Sequence, residues 1–251
     1  MIKVLDKSFR MLEYIAAKAP FAVYPGELAE SLQINRATCS RLLKSLLDAG
    51  FLLHHGRQGG YTPGPRLLTL GMLSSFAAPL LDKVEKSMIP LAEELKATLI
   101  FSRIYSGKRY VLLLENRDPK RDIRLIASFF DDLFETATGI LDLAYTSTAQ
   151  ERRRFRENAP HPSLILPPFN DPETMEENFA AIRREGGFCS FKEEQWIAAS
   201  PVFAQGSFAG AMGLSMLREE ADKERIFFCM KRLKEETSKL TFSLSPRGGI
   251  G

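Results

Sequence analysis

A chain of 251 residues, 45% hydrophobic and 26% charged, is long enough to bury real cores, and two medium domains are expected. No stretch approaches the roughly 18 apolar residues of a membrane span, and charges interrupt the N-terminal segment, so neither a transmembrane helix nor a secretory leader is expected. Cys39, Cys189 and Cys229 are widely spaced and only three histidines are present, which argues against a disulfide framework or a multi-histidine metal site and favours a cytoplasmic protein.

Three helices are predicted within the first fifty residues. An amphipathic helix that ends before Pro20 is indicated by an apolar stripe with spacings of three and four, namely Leu5, Phe9, Leu12, Ala16 and Ala19. Pro25 is expected to begin a second, short helix, because its fixed φ suits the first helical position. A tight turn follows, and Asn35 is a suitable cap for a third helix over 36–49 that closes at Gly50.

The third helix has two chemically distinct faces when each residue is advanced by ~100°. One arc contains Cys39 and leucines, and the opposite arc contains cations, a hydroxyl and a small residue, namely Arg36, Ala37, Ser40, Arg41 and Lys44. An ordinary solvated helix mixes charges of both signs, whereas this face has no acid before Asp48. The pattern favours a helix that lies against phosphates, with a plain solvated face as the alternative.

A β-hairpin is predicted after the third helix, because short apolar runs at 51–55 and 61–62 flank a glycine-rich tip that contains Arg57. Three helices followed by a hairpin form a winged helix-turn-helix, predicted over residues 1–64. Its third helix would enter the major groove and its wing would lie along the DNA backbone. The predicted DNA contacts are Arg36, Ala37, Thr38, Ser40, Arg41, Lys44 and Arg57.

The charge distribution agrees with this prediction. Residues 1–66 contain nine basic and five acidic residues, a balance of +4, whereas the remaining residues contain 25 basic and 26 acidic ones, a balance of −1. A basic N-terminal quarter on a neutral body is expected of a nucleic-acid-binding domain, although a difference of this size also falls within ordinary variation.

The rest of the chain is predicted to form a linker helix over 65–78, a second domain over 79–242 and a disordered tail over 243–251. Helices are predicted at 82–95, 138–145, 149–158, 172–185 (capped by Asn170 and Asp171) and 220–242. Strands are predicted at 98–105, 109–114, around 123–128, and at 187–191, 198–203 and 208–216, with turns at 106–107 and 205–206. This order indicates an α+β fold with a central antiparallel sheet.

Two groups of residues resemble the IclR family of transcriptional regulators. In the N-terminal part the family's spacing is kept by Leu28-Ala29, by Thr38-x-x-Arg41-Leu42-Leu43 and by Gly64-Pro65-Arg66-Leu67-Leu68. In the C-terminal part the matching runs are Thr136-Ala137-Thr138-Gly139, Gly186-Gly187-Phe188 and Ala198-Ala199-Ser200-Pro201. The resemblance covers nearly the whole chain and implies a GAF-like effector-binding domain, a homo-oligomer (a dimer or a dimer of dimers), double-stranded DNA and a small-molecule effector as partners, and no cofactor.

The resemblance also places the effector beside the loop of Thr136, Ala137, Thr138 and Gly139, with Ser215 as a hydroxyl contact on the last strand. The chain departs from the family's pattern nearby, with Ser128 in place of Gly, Asp132 of Pro, Phe134 of His, Ile140 of Lys, Phe191 of a frequent acid and Ile197 of Cys. With Phe130 and Trp196, these changes would crowd the site with aromatic surface. The hypothesis is a larger, flatter or more apolar effector, such as an aromatic acid; the alternative is that the aromatic residues pack the core.

Two other functions compete with gene regulation. An enzyme would need a nucleophile with a nearby base, and the sequence offers no convincing pair, so enzymatic activity is not expected. A winged helix that binds only proteins is the second alternative. The two classes differ in an observable way, because phosphate contacts make DNA binding strongly dependent on salt.

Overall fold

The computed structural model describes residues 2–56, 59–73, 78–127 and 129–244, and it divides into two compact units. The first unit comprises residues 1–78 and 125–128, and the second comprises 79–124 and 129–251. Each unit has its own apolar core. No helix in the described part of the chain combines the length and the apolar character that a bilayer crossing requires.

The first unit is a winged helix-turn-helix, as the sequence predicts. Its elements are α1 (Lys3–Ala17), α2 (Pro25–Ser31), α3 (Arg36–Asp48), β1 (Leu52–His54) and β2 (Tyr61–Pro63). The two strands pair antiparallel, with Leu53 opposite Thr62. Leu28 of α2 and Leu43 of α3 are fully buried, so the helix pair is held by its leucines.

The residues of α1 that face the core are not all those predicted from the sequence. The residues that α1 buries in the core are Met11 and Ile15, whereas Leu5 and Phe9 of the predicted stripe are exposed. Both sets have helical spacing, so periodicity alone did not identify the core face.

Two helices were predicted after the wing, a linker helix over 65–78 and a helix over 82–95, and the structure has two helices with different bounds. Helix α4 spans Pro65–Leu73 and α5 spans Ala78–Leu95, while residues 74–77 lie outside the described ranges. Helix α5 buries Val84, Met88 and Leu95 beneath the sheet of the second unit. The second helical segment therefore begins earlier than the predicted residue 82.

A five-stranded antiparallel sheet forms the centre of the second unit and confirms the predicted α+β class. Its strands are β3 (Thr98–Tyr105), β4 (Lys108–Asn116), β5 (Phe188–Lys192), β6 (Gln195–Ala204) and β7 (Ser207–Leu217), in the order β4-β3-β7-β6-β5. The turns at Ser106-Gly107 and Gln205-Gly206 have positive φ at both central residues. That backbone is typical of two-residue hairpins, in which glycine at the second position relieves the strain.

Helices cover both faces of the sheet. The remaining elements are α6 (Ala137–Thr146), α7 (Ala149–Glu157), a 3₁₀ turn (Pro162–Leu164), α8 (Met175–Glu185), a 3₁₀ turn (Arg218–Glu220) and α9 (Lys223–Leu244). One core is formed by α5, α9 and one sheet face, and the other by α6, α8 and the opposite face. Successive residues of β6 alternate between them, since Trp196 belongs to the first core and Ile197 to the second.

The prediction of a strand around 123–128 is wrong for the described part of that segment. Residues 117–127 contain no strand, and Ser128 lies outside the described ranges. The chain returns to the sheet at one point, where Phe130 and Arg109 exchange two backbone hydrogen bonds of 2.8 and 2.9 Å. A single bridge does not extend the sheet.

The ends of two other elements also differ from the predictions. Asp171 is not the cap of α8, because its carboxylate accepts hydrogen bonds from the Glu173 N–H and the Thr174 hydroxyl and closes a separate turn before the helix. Helix α9 continues to Leu244, so Ser243 is helical rather than part of a disordered tail. The rest of the predicted tail, residues 245–251, lies outside the described ranges.

Candidate nucleic-acid interface and effector cavity

Helix α3 is fixed at its start and along its inner face. The side chain of Asn35 accepts a hydrogen bond of 2.7 Å from the Thr38 N–H, the capping interaction that the sequence predicts. Cys39 and Leu42 are buried, and the Cys39 thiol donates to the Pro25 carbonyl at 3.6 Å. Burial raises the pKa of the Cys39 thiol, so this cysteine is a packed residue and not a nucleophile.

The outer face of α3 is exposed and cationic. Arg36, Arg41 and Lys44 have no side-chain hydrogen bond or ion pair with any residue that the structure describes. Ala37 and Ser40 are also exposed, while Thr38 is half-buried beside the cap. By contrast, Lys18, which directly follows α1, pairs with Glu27 at 3.6 Å. The charges of α3 are therefore available to a partner outside the chain.

The wing contributes no further described cation. His55 Nε2 lies 2.7 Å from the Thr62 hydroxyl, and the His54 and Tyr61 rings are 4.6 Å apart, so the wing histidines are engaged within the hairpin. Arg57, the predicted backbone contact, falls outside the described residues. Among the residues described, no group of three or more His, Cys, Asp or Glu is placed to hold a metal ion.

A cavity of about 140 Å³ lies between the N-terminus of α6 and the sheet. Five of the predicted effector residues line it, namely Thr136, Ala137, Thr138, Ile197 and Ser215. Helix α6 begins there because the Thr136 hydroxyl accepts a hydrogen bond of 3.2 Å from the Gly139 N–H. A helix N-terminus on a cavity wall presents partly positive N–H groups to whatever the cavity holds.

The predicted aromatic residues do not line this cavity. Phe134 is buried in the core of α6 and α8, with its ring 6.2 and 6.3 Å from those of Phe169 and Phe179. Trp196 is buried in the opposite core, on the other face of the sheet. Phe191 lies at the sheet edge beside the Arg218 guanidinium, at 4.7 Å, and Phe130 forms the bridge to Arg109. The placement agrees with the alternative that these rings pack the protein.

Gly139 is also set back from the cavity, and its role is steric. A Cβ on this residue would lie 2.4 Å from the Leu133 carbonyl oxygen, so the loop before α6 can approach the helix only at a glycine.

The sequence analysis missed part of the cavity wall. Thr98, Ile100, Gln195 and Gly213 also line it, and Thr98 lies directly opposite Ser215 where β3 pairs with β7. Alternation along β3 could have placed Thr98 and Ile100 on one face. No local signal shows that β3 and β7 are neighbours, because this pairing joins strands distant in sequence.

Gly213 creates room in the cavity, and a methyl group there is expected to close it. A Cβ on Gly213 would lie 2.4 Å from Thr138 Cγ2 and 3.1 Å from Ile100 Cγ1. Gly213→Ala should therefore displace Thr138, cost about 1–3 kcal/mol of stability, and abolish binding of small molecules in calorimetric titrations. Gly210→Ala is the matched control on the same strand, because its Cβ would instead meet the Phe101 ring. Equal loss of ligand binding in both variants would contradict the placement.

A buried carboxylate joins the cavity helix to β3. Asp142 Oδ2 accepts a hydrogen bond of 2.7 Å from the Ile104 N–H, and Oδ1 accepts one of 2.9 Å from the Thr146 hydroxyl. Burial raises the pKa of Asp142 to about 6, although these hydrogen bonds and the nearby Arg103 and Arg109 act in the opposite direction.

This raised pKa predicts a pH-dependent stability. Between the ordinary Asp value and about 6, the folded protein holds a proton that the unfolded chain lacks, so this group's contribution is largest at low pH and is lost as pH rises through 6. The free energy of unfolding should therefore fall by about 1 kcal/mol between about pH 5 and about pH 7.5 because of this group, and Asp142→Asn should remove that part of the pH dependence. Urea unfolding of the wild-type protein and of Asp142→Asn at both pH values measures this change. If the stability difference between the two pH values is the same in both proteins, the pKa of Asp142 is not raised.

Comparisons with known proteins agree with this architecture. A family model described as the MarR family matches residues 4–59, which include α2, α3 and β1 of the winged helix. Comparison with curated protein sequences gives no match. A winged helix-turn-helix followed by an α+β domain is thus the class of protein that the fold defines.

Solved structures show the same fold over nearly the full chain. An IclR transcriptional regulator from Alicyclobacillus acidocaldarius has a TM-score of 0.74 at 20% identity, with 96% of this chain and 98% of that chain covered. An IclR homolog from Microbacterium hydrocarbonoxydans, complexed with 4-hydroxybenzoate, has a TM-score of 0.74 at 17% identity and the same coverage. The Thermotoga maritima IclR has a TM-score of 0.68 at 19% identity, with 98% and 100% covered. The chain has the fold of the IclR transcriptional regulators, which confirms at the level of fold the resemblance inferred from its sequence.

Proposed function

We propose that the protein is a transcriptional regulator of the IclR type that binds a near-palindromic DNA operator as a homo-oligomer and responds to a small effector. One observation carries the proposal, namely the exposed, unpaired cationic face of α3, the helix that enters the major groove in a winged helix-turn-helix. In this proposal the protein acts in the cytoplasm, has no enzymatic activity and needs no cofactor.

The side chains on the outer face of α3 are of two kinds, cations and hydroxyls. Arg36, Arg41 and Lys44 are suited to guanine edges or phosphates, while the hydroxyls of Thr38 and Ser40 can contact either. Ala37 leaves room for close approach of the groove. Arg57 in the wing is proposed to contact the DNA backbone.

The effector is proposed to occupy the cavity beneath α6. A cavity of about 140 Å³ is close to the ~150 Å³ that holds one benzene molecule in an engineered protein core, so the space admits one ring or a short acid. The 4-hydroxybenzoate in the Microbacterium hydrocarbonoxydans homolog supports a single-ring acid. Thr136, Thr138 and Ser215 supply polar contacts, and a single-ring acid is one form of the aromatic acid that the sequence suggested.

The test is selection of bound genomic fragments by the full chain, followed by titration of a selected duplex at several salt concentrations. Specific binding with a log–log salt slope of about −0.9 per phosphate contact is expected, together with a symmetric site in the selected fragments. Binding of no duplex, or binding without salt dependence, would favour a protein-interaction module.

A further inference from the structure

The guanidinium of Arg121 lies against the wall of the α6 cavity, although Arg121 belongs to the irregular segment after β4. Its Nη2 donates to the Ser215 carbonyl at 2.7 Å, to the Ser215 hydroxyl at 3.3 Å and to the Thr98 hydroxyl at 3.4 Å. Both hydroxyl residues line the cavity. Arg121 is therefore the cation that contacts two of the cavity's own polar groups.

A network of hydrogen bonds holds Arg121 in this position. Its Nε donates to Asp118 Oδ2 at 2.5 Å, and Asn116 Nδ2 donates to the Arg121 carbonyl at 2.6 Å. The Asp118 side chain is fully buried, and its other oxygen accepts the Lys120 N–H at 2.8 Å. Only 12% of the Arg121 side chain is exposed, so the guanidinium is fixed by the protein and has little freedom to move into solvent.

Two buried polar groups at this place have no hydrogen-bond partner within the described residues. One is Arg121 Nη1, in the same guanidinium that contacts Ser215. The other is the hydroxyl Oγ1 of Thr138, a residue that lines the cavity and is only 2% exposed. Buried polar groups are nearly always paired in native proteins, so each of these two groups is suited to an acceptor supplied by a ligand.

The charges around the cavity indicate which kind of ligand group would bind there. No acidic side chain is among the described residues that line the cavity, and the N-terminus of α6 adds its partial positive charge there. Asp118 is the acid among the described residues that pairs with Arg121, through Nε, and it leaves Nη1 without an acceptor. The N-terminus of α6 and the hydroxyl residues Thr98, Thr138 and Ser215 thus border the cavity. The Arg121 guanidinium lies behind two of these hydroxyls, an arrangement that suits a carboxylate.

We propose that Arg121 is the residue that makes this cavity specific for the carboxylate form of its ligand, with Thr138 Oγ1 as a second donor. The proposal deepens the proposed function and rests on it, because it names the group that reads the effector's charge. A neutral amide of the same shape would fit the cavity but would gain less than a carboxylate from the positive charge behind these hydroxyls.

The test compares three acids with their amides by calorimetric titration of the full-length protein: pyruvate with pyruvamide, benzoate with benzamide, and 4-hydroxybenzoate with 4-hydroxybenzamide. The wild-type protein should bind at least one acid more tightly than its amide. Neutralising both partners, in Arg121→Gln with Asp118→Asn, avoids an unpaired buried charge and should weaken acid binding roughly 10- to 100-fold while amide binding changes little. Arg121→Lys, which keeps the charge, should retain the preference for acid.

The matched control neutralises another ion pair with a buried arginine, Arg152 and the half-buried Glu176, which joins α7 and α8 with an Nε–Oε1 distance of 3.0 Å. The variant Arg152→Gln with Glu176→Gln should keep full acid binding. If the Arg121 variant binds acids as tightly as wild type, or if no acid is preferred over its amide by wild type, the proposal is wrong. DNA binding is measured separately on the same proteins, so a failure of the regulator function would appear there instead.

Discussion

Arg41→Glu combined with Lys44→Glu is expected to abolish measurable operator binding while the protein remains folded. Both side chains are exposed and have no partner among the described residues, so reversing them removes no internal contact. Each lost DNA contact costs about 1–3 kcal/mol, and repulsion from the phosphates adds to it, so an affinity loss of at least about 100-fold is expected. Fluorescence anisotropy with a labelled operator duplex measures this loss.

The salt dependence gives an independent measure of the same change. Loss of two phosphate contacts should lower the magnitude of the log–log salt slope by about 2. If Arg41 instead reads a base, the single variant Arg41→Ala should relax the base preference at one operator position, whereas a phosphate contact would lower the affinity for all sequences uniformly.

A control with the same charge change tests the alternative that net charge alone governs binding. Arg153 and Arg154 are exposed on α7 of the second unit, and replacing both by glutamate changes the net charge equally. Near-normal operator affinity is expected for this control. If it lost as much affinity as the α3 variant, the assignment of the interface to α3 would fail.

Trp196→Ala is expected to destabilise the second unit by about 3–5 kcal/mol, because it leaves a large void in a packed core. Trp196 is only 1% exposed and packs among residues of α5, α9 and the adjacent strands. Urea unfolding monitored by circular dichroism measures the change. A loss below about 1 kcal/mol would show that the ring is not part of the core.

Phe191 provides the matched comparison, because it lies directly opposite Trp196 in the register of β5 and β6. Phe191 is 38% exposed and its ring contacts the Arg218 guanidinium, so Phe191→Ala should cost only about 1 kcal/mol. Trp196 is the chain's one tryptophan, and its burial predicts blue-shifted emission. A single-ring acid in the α6 cavity, on the other sheet face, should leave that emission unchanged.

Local signals in the sequence were sufficient for most of the fold. The cap at Asn35, the proline at the start of α2 and the glycine turns at 107 and 206 each act within a few residues, and each appears in the structure where it was predicted. The described part of the segment at 123–128 had an apolar pattern but does not pair with the edge strand β4, which the chain meets at the single bridge of Phe130, so the pattern alone gave a wrong strand.

The cavity was predictable only where a motif marked it. Thr136, Thr138 and Ser215 came from the family resemblance, whereas Thr98 depends on the pairing of β3 with β7. Arg121 lies outside every predicted element, and nothing in its own sequence context indicates what it contacts. Phe134 and Trp196 were placed in the site because an aromatic residue looks the same in a sequence when it packs a core and when it touches a ligand.

The unpaired cationic side chains of α3 also affect how the protein behaves during purification. A surface whose charges have no counterpart in their own chain attracts any polyanion, so heparin resin should retain the protein and cell extracts should load it with nucleic acid fragments. Preparations made in dilute buffer are then expected to absorb excessively at 260 nm. A wash in about 1 M salt, where the Debye length is about 3 Å, should strip these contaminants before any affinity is determined.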